Sequence, residues 1–321
     1  MKNYYLKKII VTLAIFLCIN QSITAVSLVY NMKIRRAVSS SFFEHIFPGK
    51  KNFWLLTGLP VVYTRSRHIT VPLTQQNVFE KTFLAGAIFN ARFLAQHYWW
   101  LEFTTGLENQ KDTVRGTQDF KASRTGLDDI VIAGGKNFLF HDEKGQIALY
   151  GIMGFPLKWD VTVQESFDAL VGTRFFGLGA GTELSYSFIK TLKKAFNAIL
   201  QIRYVHFFDR AWVPILPCGS KIQPGNLTDL FMILQYRHKF NVFEIGYNPS
   251  FFTNQAVILP KEKVHSQNLV RNSFYANFTH VFKKSLLLKK PGGIGTGFNI
   301  SRAETFDTKI FAWWVNLSLL F

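Results

Sequence analysis

The chain has 321 residues, a formal charge of +17, 33 phenylalanines, 11 tyrosines and two cysteines, with mean hydropathy near neutral at +0.09. Two cysteines, one of them in the first twenty residues, exclude a disulfide framework. No stretch beyond the N-terminal segment is long and apolar enough for a membrane-spanning helix, so the apolar residues must be used in some more dispersed way.

Residues 1–25 read as a secretory signal peptide. Lys2, Lys7 and Lys8 form a basic start, 9–19 is an apolar core, and Ser22-Ile23-Thr24-Ala25 offers a small-residue cleavage site. Those lysines carry three of the seventeen positive charges. Cys18 follows bulky Phe16 and Leu17 and is a poor lipidation site, which leaves Cys218 as the single thiol of the mature chain. Residues 26–50 carry Lys33, Arg35 and Arg36 and show no sustained period.

From residue 51 onward the pattern is strand, connection, strand. The first candidate strand, 53–63, is apolar on both parities, so its facing is ambiguous. The second, 82–93, sets Phe83, Ala85, Ala87, Phe89, Ala91 and Phe93 on one side. In the third, Trp99, Leu101, Phe103 and Leu107 oppose Trp100, Glu102, Thr104 and Glu108. The fourth has Ile130, Ile132, Gly134, Phe138 and Phe140 against Asp129, Ala133, Gly135 and Asn137. Ile147 to Leu157 alternates in the fifth, and in the sixth Leu178, Ala180 and Leu184 oppose Gly177, Gly179, Gly181 and Glu183. The seventh places Phe196, Ala198, Leu200, Ile202 and Tyr204 against Asn197, Gln201 and Arg203. Three more follow, marked by Leu230–Met232–Leu234, Phe243–Ile245–Tyr247 and Phe274–Ala276–Phe278, then a short eleventh through Ile294, Phe298 and Ile300. Period two assigns each set to its own face of a strand.

The twelfth candidate, 311–321, is apolar on one parity throughout: Phe311, Trp313, Val315, Leu317, Leu319 and Phe321. Its aromatic residues gather at the two ends. About 9–11 residues suffice for a transmembrane strand, and aromatic girdles mark its interfaces. The connections alternate between short, such as 141–145 and 190–194, and long, at 64–81, 109–126, 159–172, 207–229 and 250–269; the last, around 302–308, is shorter. Short turns on one side, longer loops on the other and an even strand count are the pattern of an outer-membrane barrel. The expected fold is therefore all-β, an antiparallel transmembrane outer-membrane β-barrel of about 12 strands spanning 51–321, with 26–50 a periplasmic arm or plug. Phe321, with Leu319 and Leu317, is the expected assembly signal for the barrel assembly machinery.

The glycine-rich stretches 177–181 and 292–297 lack the lysine and hydroxyl of a phosphate-binding loop and the strand-to-helix setting it needs. Alternating glycines facing a lumen fit close packing inside a barrel better. A hydrolase would need a serine with a base in reach, and adjacent His265 and Ser266 in a connection do not supply that arrangement. His206 and His280 end apolar faces, where an amphipathic ring sits at an interface. No His, Cys and carboxylate grouping has metal-ligand spacing; Asp128 and Asp129, on alternating faces, make a weak calcium pair. No enzyme activity, metal or cofactor is expected.

Charges at mid-strand fall on the non-apolar parity. Glu102, Asp129, Glu183, Arg203, Arg237, Glu244 and Arg271 are the expected lumen-lining residues, either lining an aqueous pore or closing it by mutual ion pairs. The basic balance points to lipopolysaccharide phosphates or anionic solutes as partners rather than nucleic acid, although a proteome-wide basic bias gives the same charge. Arg65, Arg67, Lys111, Arg115, Lys121 and Arg124 are read as basic outer loops, with Lys283, Lys284, Lys289 and Lys290 on the opposite side.

Gly126-Leu127-Asp128-Asp129 opening a strand, a strand through 146–157 that contains Pro156, and Val171-Gly172-Thr173 leading into the glycine-alternating strand together resemble the outer-membrane transporters of the phenol meta-pathway degradation family. The resemblance covers about 126–187. It implies a barrel like the long-chain fatty-acid channels, passing small hydrophobic compounds. Arg174 and Phe175 depart from the small residues usual in that family, and no Asn-Pro-Ala plug motif stands near the N-terminus, so no ligand site carries over. The expectation is a channel for passive uptake of small solutes, hydrophobic or aromatic ones included; the alternatives are a non-conducting structural or adhesive barrel and, third, an outer-membrane hydrolase.

Overall fold

The computed structural model describes residues 52–71, 76–115, 120–141, 144–157, 175–191, 193–211, 220–254, 256–260, 263–265, 268–282, 291–303 and 307–321. The expected signal 1–25, the arm 26–50, Cys218, Ser266, 171–174 and the four lysines between 283 and 290 lie outside the described residues.

Twelve antiparallel strands close on themselves. They are β1 (Phe53–Val71), β2 (Gln76–Leu94), β3 (Trp99–Arg115), β4 in two segments (Phe120–Leu127 and Ile130–Phe140), β5 (Gly145–Phe155) and β6 (Gly177–Lys190). β7 (Lys194–Phe207), β8 (Asn226–His238), β9 (Asn241–Thr253), β10 (Leu269–Phe282), β11 (Gly292–Ala303) and β12 (Thr308–Leu320) complete the set. Each strand pairs with its neighbours in sequence, and β1 pairs with β12 to close the wall.

One lateral row of backbone partners shows the tilt. It runs from Phe53 through Leu94, Trp100, Gly135, Tyr150, Gly181, Arg203, Asp229, Ser250, Arg271 and Ala303 to Thr308, one step past the Ser66–Lys309 pair. The row thus leaves β1 at Phe53 and returns to it at the level of Arg67. That offset gives strands tilted by about 40° around a backbone radius of about 12 Å.

Alternation separates the two faces cleanly. On β10, Ser273 is 0% exposed and its neighbour Phe274 is 60% exposed. Outward-facing Phe89, Trp99, Leu149, Ile245 and Ile300 are exposed on the same terms, as a lipid-facing surface requires. Lys136 projects outward too, with its ammonium 5.2 Å from the Trp99 ring and 5.3 Å from that of Phe138. That places it at the aromatic rim of the short-turn end, where a long cation reaches toward water.

Several connections are shorter than the sequence suggests. Residues 64–71 and 76–81 continue β1 and β2, and 109–115 and 120–126 continue β3 and β4. Beyond the lipid-contact band the outer face no longer has to be apolar, so the period fades while the hydrogen-bond ladder continues. The connections 207–229 and 250–269 contain Arg210–Ala211, Lys221–Gln223, Ala256–Ile258 and Lys263–His265, which form a separate four-stranded sheet at the long-loop end. Arg65 and Arg67, expected in an outer loop, sit on β1 and face inward, 3% and 2% exposed.

The ambiguous parity of β1 also has a cause. Leu55, Leu59, Val61 and Tyr63 face inward and are buried; the last three pack with Leu84, Ile88, Phe231, Ile233, Tyr275 and Trp314, and Leu55 with Val242, Val281 and Leu320, in apolar clusters on the inner wall. An apolar stretch on the lumen side of β1 meets the lipid-facing parity, and the alternation is lost.

Three inward glycines are covered by an aromatic ring from the directly opposite residue of the next strand. Tyr150 lies over Gly181, Tyr275 over Gly246 and Trp314 over Gly297; a Cβ at any of the three would overlap the ring. Such cross-strand pairs fix register and fill the space a glycine leaves. The Tyr150 hydroxyl also accepts a hydrogen bond from Gln201 Nε2 at 2.8 Å, so the side chain spans from β5 over β6 to β7.

Candidate functional site in the barrel lumen

With a tilt of about 40°, each residue rises about 2.6 Å along the barrel axis and each strand-to-strand step of the row about 3 Å. On this scale Glu102 on β3, Glu183 on β6 and Glu244 on β9 stand at one height, about 10 Å above Phe53. They come from every third strand of twelve, and all three are buried against the inner wall. Glu102 stands opposite Arg92 on β2 and accepts a hydrogen bond from Thr104 Oγ1 at 3.2 Å. Glu183 stands opposite Gln201. Glu244 accepts from Gln235 Nε2 at 2.8 Å and from Asn277 Nδ2 at 2.9 Å, and Gln235 accepts in turn from Asn197 Nδ2 at 2.7 Å. Glu244 is thus held by neutral amides, whereas Glu102 has a guanidinium and a hydroxyl beside it.

Nearer the long-loop end the cations dominate the row itself. Arg203 and Asp229 are direct cross-strand partners, both fully buried, joined through Arg203 Nε at 3.1 Å and a shorter contact from Nη2. Ser250 follows on β9 and Arg271 on β10, with Arg271 Nη2 donating to Ser250 Oγ at 2.9 Å. Higher still, Glu80 on β2 is shared by two guanidiniums of β1. Arg65 Nη2 donates to Oε1 and Arg67 Nε to Oε2, each at 2.5 Å. Arg65 also reaches Thr82 Oγ1 at 2.9 Å. On the adjacent strand Asp112 accepts from Gln110 Nε2 at 2.8 Å.

Of the seven residues expected in the lumen, the structure therefore groups Arg203 with Arg271 on one row and the three glutamates at one level. Arg237 stands apart: it lies at the short-turn end, half-buried, and donates to the Thr191 carbonyl at 2.9 Å. Asp129 sits in the interruption of β4 beside Asp128. Their side chains do not alternate across a regular strand as expected. Both are buried, and the Asp129 amide donates to Asp128 Oδ1 at 2.7 Å. Among the described residues no group of three or more His, Cys, Asp or Glu is placed to hold a metal.

Sequence reasoning missed Arg65, Arg67, Glu80, Arg92, Asp112 and Asp229 as buried charges of the inner face, and placed Glu108 on that face without counting it among the lumen residues. The signal existed for most of them. Arg65 and Arg67 share the parity of Tyr63, and Asp229 that of Gln235 and Arg237; both sets were lost only by ending the strands early. His206 and His280, at the ends of outward faces, bond through Nδ1 to Asn226 and Asn241 at 2.7 and 2.8 Å. His265 ends a short strand of the long-loop sheet and is exposed.

The fold has solved counterparts. An outer membrane channel from Pseudomonas putida F1 superposes with a TM-score of 0.52 at 10% identity, covering 83% of this chain and 95% of that one. The β domain of the Bordetella autotransporter BrkA gives 0.46 at 9% identity, over 84% and 99%. The translocator domain of the autotransporter NalP from Neisseria meningitidis gives 0.44 at 9%, over 93% and 97%. No family model and no curated protein matches the sequence. At these identities the likeness is one of fold, and the chain is a twelve-stranded outer-membrane β-barrel.

Proposed function

We propose that the barrel is a passive channel for small solutes across the outer membrane, with its long-loop end outside and its short turns in the periplasm. The observation that carries this reading is the inner wall. It holds fixed charges of both signs on most strands, behind an apolar exterior. Glu102, Glu183 and Glu244 would set the field on the periplasmic side, and Arg203 and Arg271 on the outer side. Small apolar or aromatic compounds are the substrate class implied by the resemblance to the phenol meta-pathway transporters, and the apolar clusters on the inner wall suit such solutes.

One observation favours a second reading, a non-conducting structural or adhesive barrel. Arg203 is paired with Asp229, and Arg65 and Arg67 share Glu80, so much of the charge is engaged within the wall. In that case the outward-facing Lys111, Arg115 and Lys121 on the β3–β4 hairpin, exposed above the apolar band, would hold lipopolysaccharide phosphates. A liposome-swelling assay separates the two. Proteoliposomes of the folded barrel should swell in small sugars or in phenol-sized solutes, while swelling no faster than empty liposomes would favour the closed barrel.

A further inference from the structure

We infer that the lipid-facing wall from β11 to β3 carries a site for one bisphosphorylated, multiply acylated glycolipid of the outer leaflet, with Arg302, Lys309, Lys81 and Lys111 as its phosphate contacts. The site rests on the orientation proposed above, with the long-loop end outside, and not on conduction. It lies lower on the wall than Arg115 and Lys121, which stand further along the β3–β4 hairpin.

One lateral row of backbone partners runs through Arg302, Lys309, Ser66, Lys81 and Thr113 on five adjacent strands. All five share the parity of the lipid-facing residues, and Lys111 lies two residues from Thr113 on the same face. On the scale used for the lumen, the four cations stand about 27–37 Å above Phe53, at and over the upper edge of an apolar band about 25 Å tall. They form two pairs, Arg302 with Lys309 and Lys81 with Lys111, separated by Thr64 and Ser66 of β1. Asp307 stands beside the first pair, its two oxygens 3.3 Å from Arg302 Nη2 and 3.6 Å from Lys309 Nζ. One carboxylate between two cations leaves a positive charge over, and those two side chains remain 71% and 65% exposed. The ion pairs among the described residues include neither Lys81 nor Lys111, and both are exposed. Two phosphates set apart on one headgroup match two cation pairs set apart on the wall, with the β1 hydroxyls between them for a sugar.

The wall beneath the cations fits acyl chains. Between bulky Trp313 on β12 and Leu107 on β3, the outward residues of β1 and β2 are small, with Val62 opposite Ala85 and Pro60 opposite Ala87. This low track leads down to a depression of about 500 Å³ lined by Leu56, Gly58, Phe89, Ala91, Phe103 and Leu317. A Cβ at Gly58 would meet nothing within 4 Å, so the space opens toward the bilayer. At that depth its occupant is hydrocarbon, and a chain hung from the level of the cations reaches it along the track. A free phosphate would use the cations alone, whereas a glycolipid uses both the cations and the depression.

The test is native mass spectrometry of the folded full chain in detergent with bisphosphorylated lipid A, alongside monophosphoryl lipid A and phosphatidylglycerol. One lipid A should be retained per barrel, and each comparison lipid severalfold more weakly. Lys81→Gln with Lys111→Gln should weaken retention about tenfold or more, since two surface cations are lost. Arg302→Gln with Lys309→Gln should weaken it severalfold, because Asp307 already offsets part of that pair. Gly58→Leu, which fills the depression, should also weaken it severalfold, and Lys121→Gln should leave it unchanged. Heat-modifiable gel migration checks that each variant is folded, and the two cation pairs test the site separately if one variant fails to fold. Retention no stronger than that of phosphatidylglycerol, or unchanged in both double variants, overturns the proposal. Displacement by an equal concentration of inorganic phosphate, or unchanged retention in Gly58→Leu, overturns its lipid part. A barrel that holds lipid A yet stays silent in a bilayer keeps the site and defeats the channel reading, and a conducting barrel without lipid A does the reverse.

Discussion

Phe321 and Trp54 exchange two backbone hydrogen bonds, Trp54 N to Phe321 O at 3.0 Å and Phe321 N to Trp54 O at 2.8 Å. The residue that ends the aromatic pattern of the sequence is thus also the last clasp of the β1–β12 seam. Deleting Phe321 should lower the folded fraction in vesicles, read by heat-modifiable gel migration. Barrels that do assemble should keep whatever pore they have, because Phe321 faces lipid. Normal insertion without it would contradict the assembly role.

The same seam has a defect at mid-height. The β1–β12 partners run from Leu55–Leu320 to Gly58–Leu317 and resume at Val61–Trp314, skipping Leu59 and Pro60, whereas β1 pairs with β2 without a break. Proline lacks the N–H that a ladder needs. At the other proline-interrupted place, between β8 and β9, Asn248 Nδ2 donates to the Leu230 carbonyl at 3.0 Å and mends the gap. Pro60→Val should therefore stabilise the barrel by about 1 kcal/mol through a restored bond, seen as a raised urea midpoint in lipid vesicles. A lowered midpoint would mean that the gap has another origin.

Removing one member of the buried Arg203–Asp229 pair strands the other. Arg203→Met or Asp229→Leu alone should destabilise by about 3–5 kcal/mol, while the double substitution should recover most of that loss. Equilibrium urea unfolding of the three variants makes the cycle. Additive losses would show that the pair contributes no coupling.

Gly181→Ala places a Cβ where the Tyr150 ring lies and should cost about 1–3 kcal/mol. Adding Tyr150→Ala removes the clash, so the second substitution should cost less in the Gly181→Ala background than alone. Equal costs in both backgrounds would show that ring and glycine do not interact.

How much of this was legible in the sequence follows from what each face touches. Lipid demands an apolar residue at every second position, so even the short run through Ile294, Phe298 and Ile300 marks β11 (Gly292–Ala303). Above the lipid that demand ends. Arg65 and Arg67 then look like loop residues, although the ladder continues through Ser66–Lys309. On β1 the lumen itself is apolar, and Leu59 and Val61 blur the alternation. Pairings were out of reach for a different reason. Asp229 and Arg203 are joined by the register of β7 and β8, and the connection between those strands contains further short strands of its own, so its length does not set that register.

Whether the lumen conducts is read by single-channel recording from the folded full chain in a planar bilayer. A conducting lumen should give discrete ohmic steps whose ion selectivity shifts toward anions when Glu102, Glu183 and Glu244 are replaced together by glutamine, since three fixed negative charges leave one level of the wall. Bilayers that stay silent although the barrel is folded and inserted would contradict it.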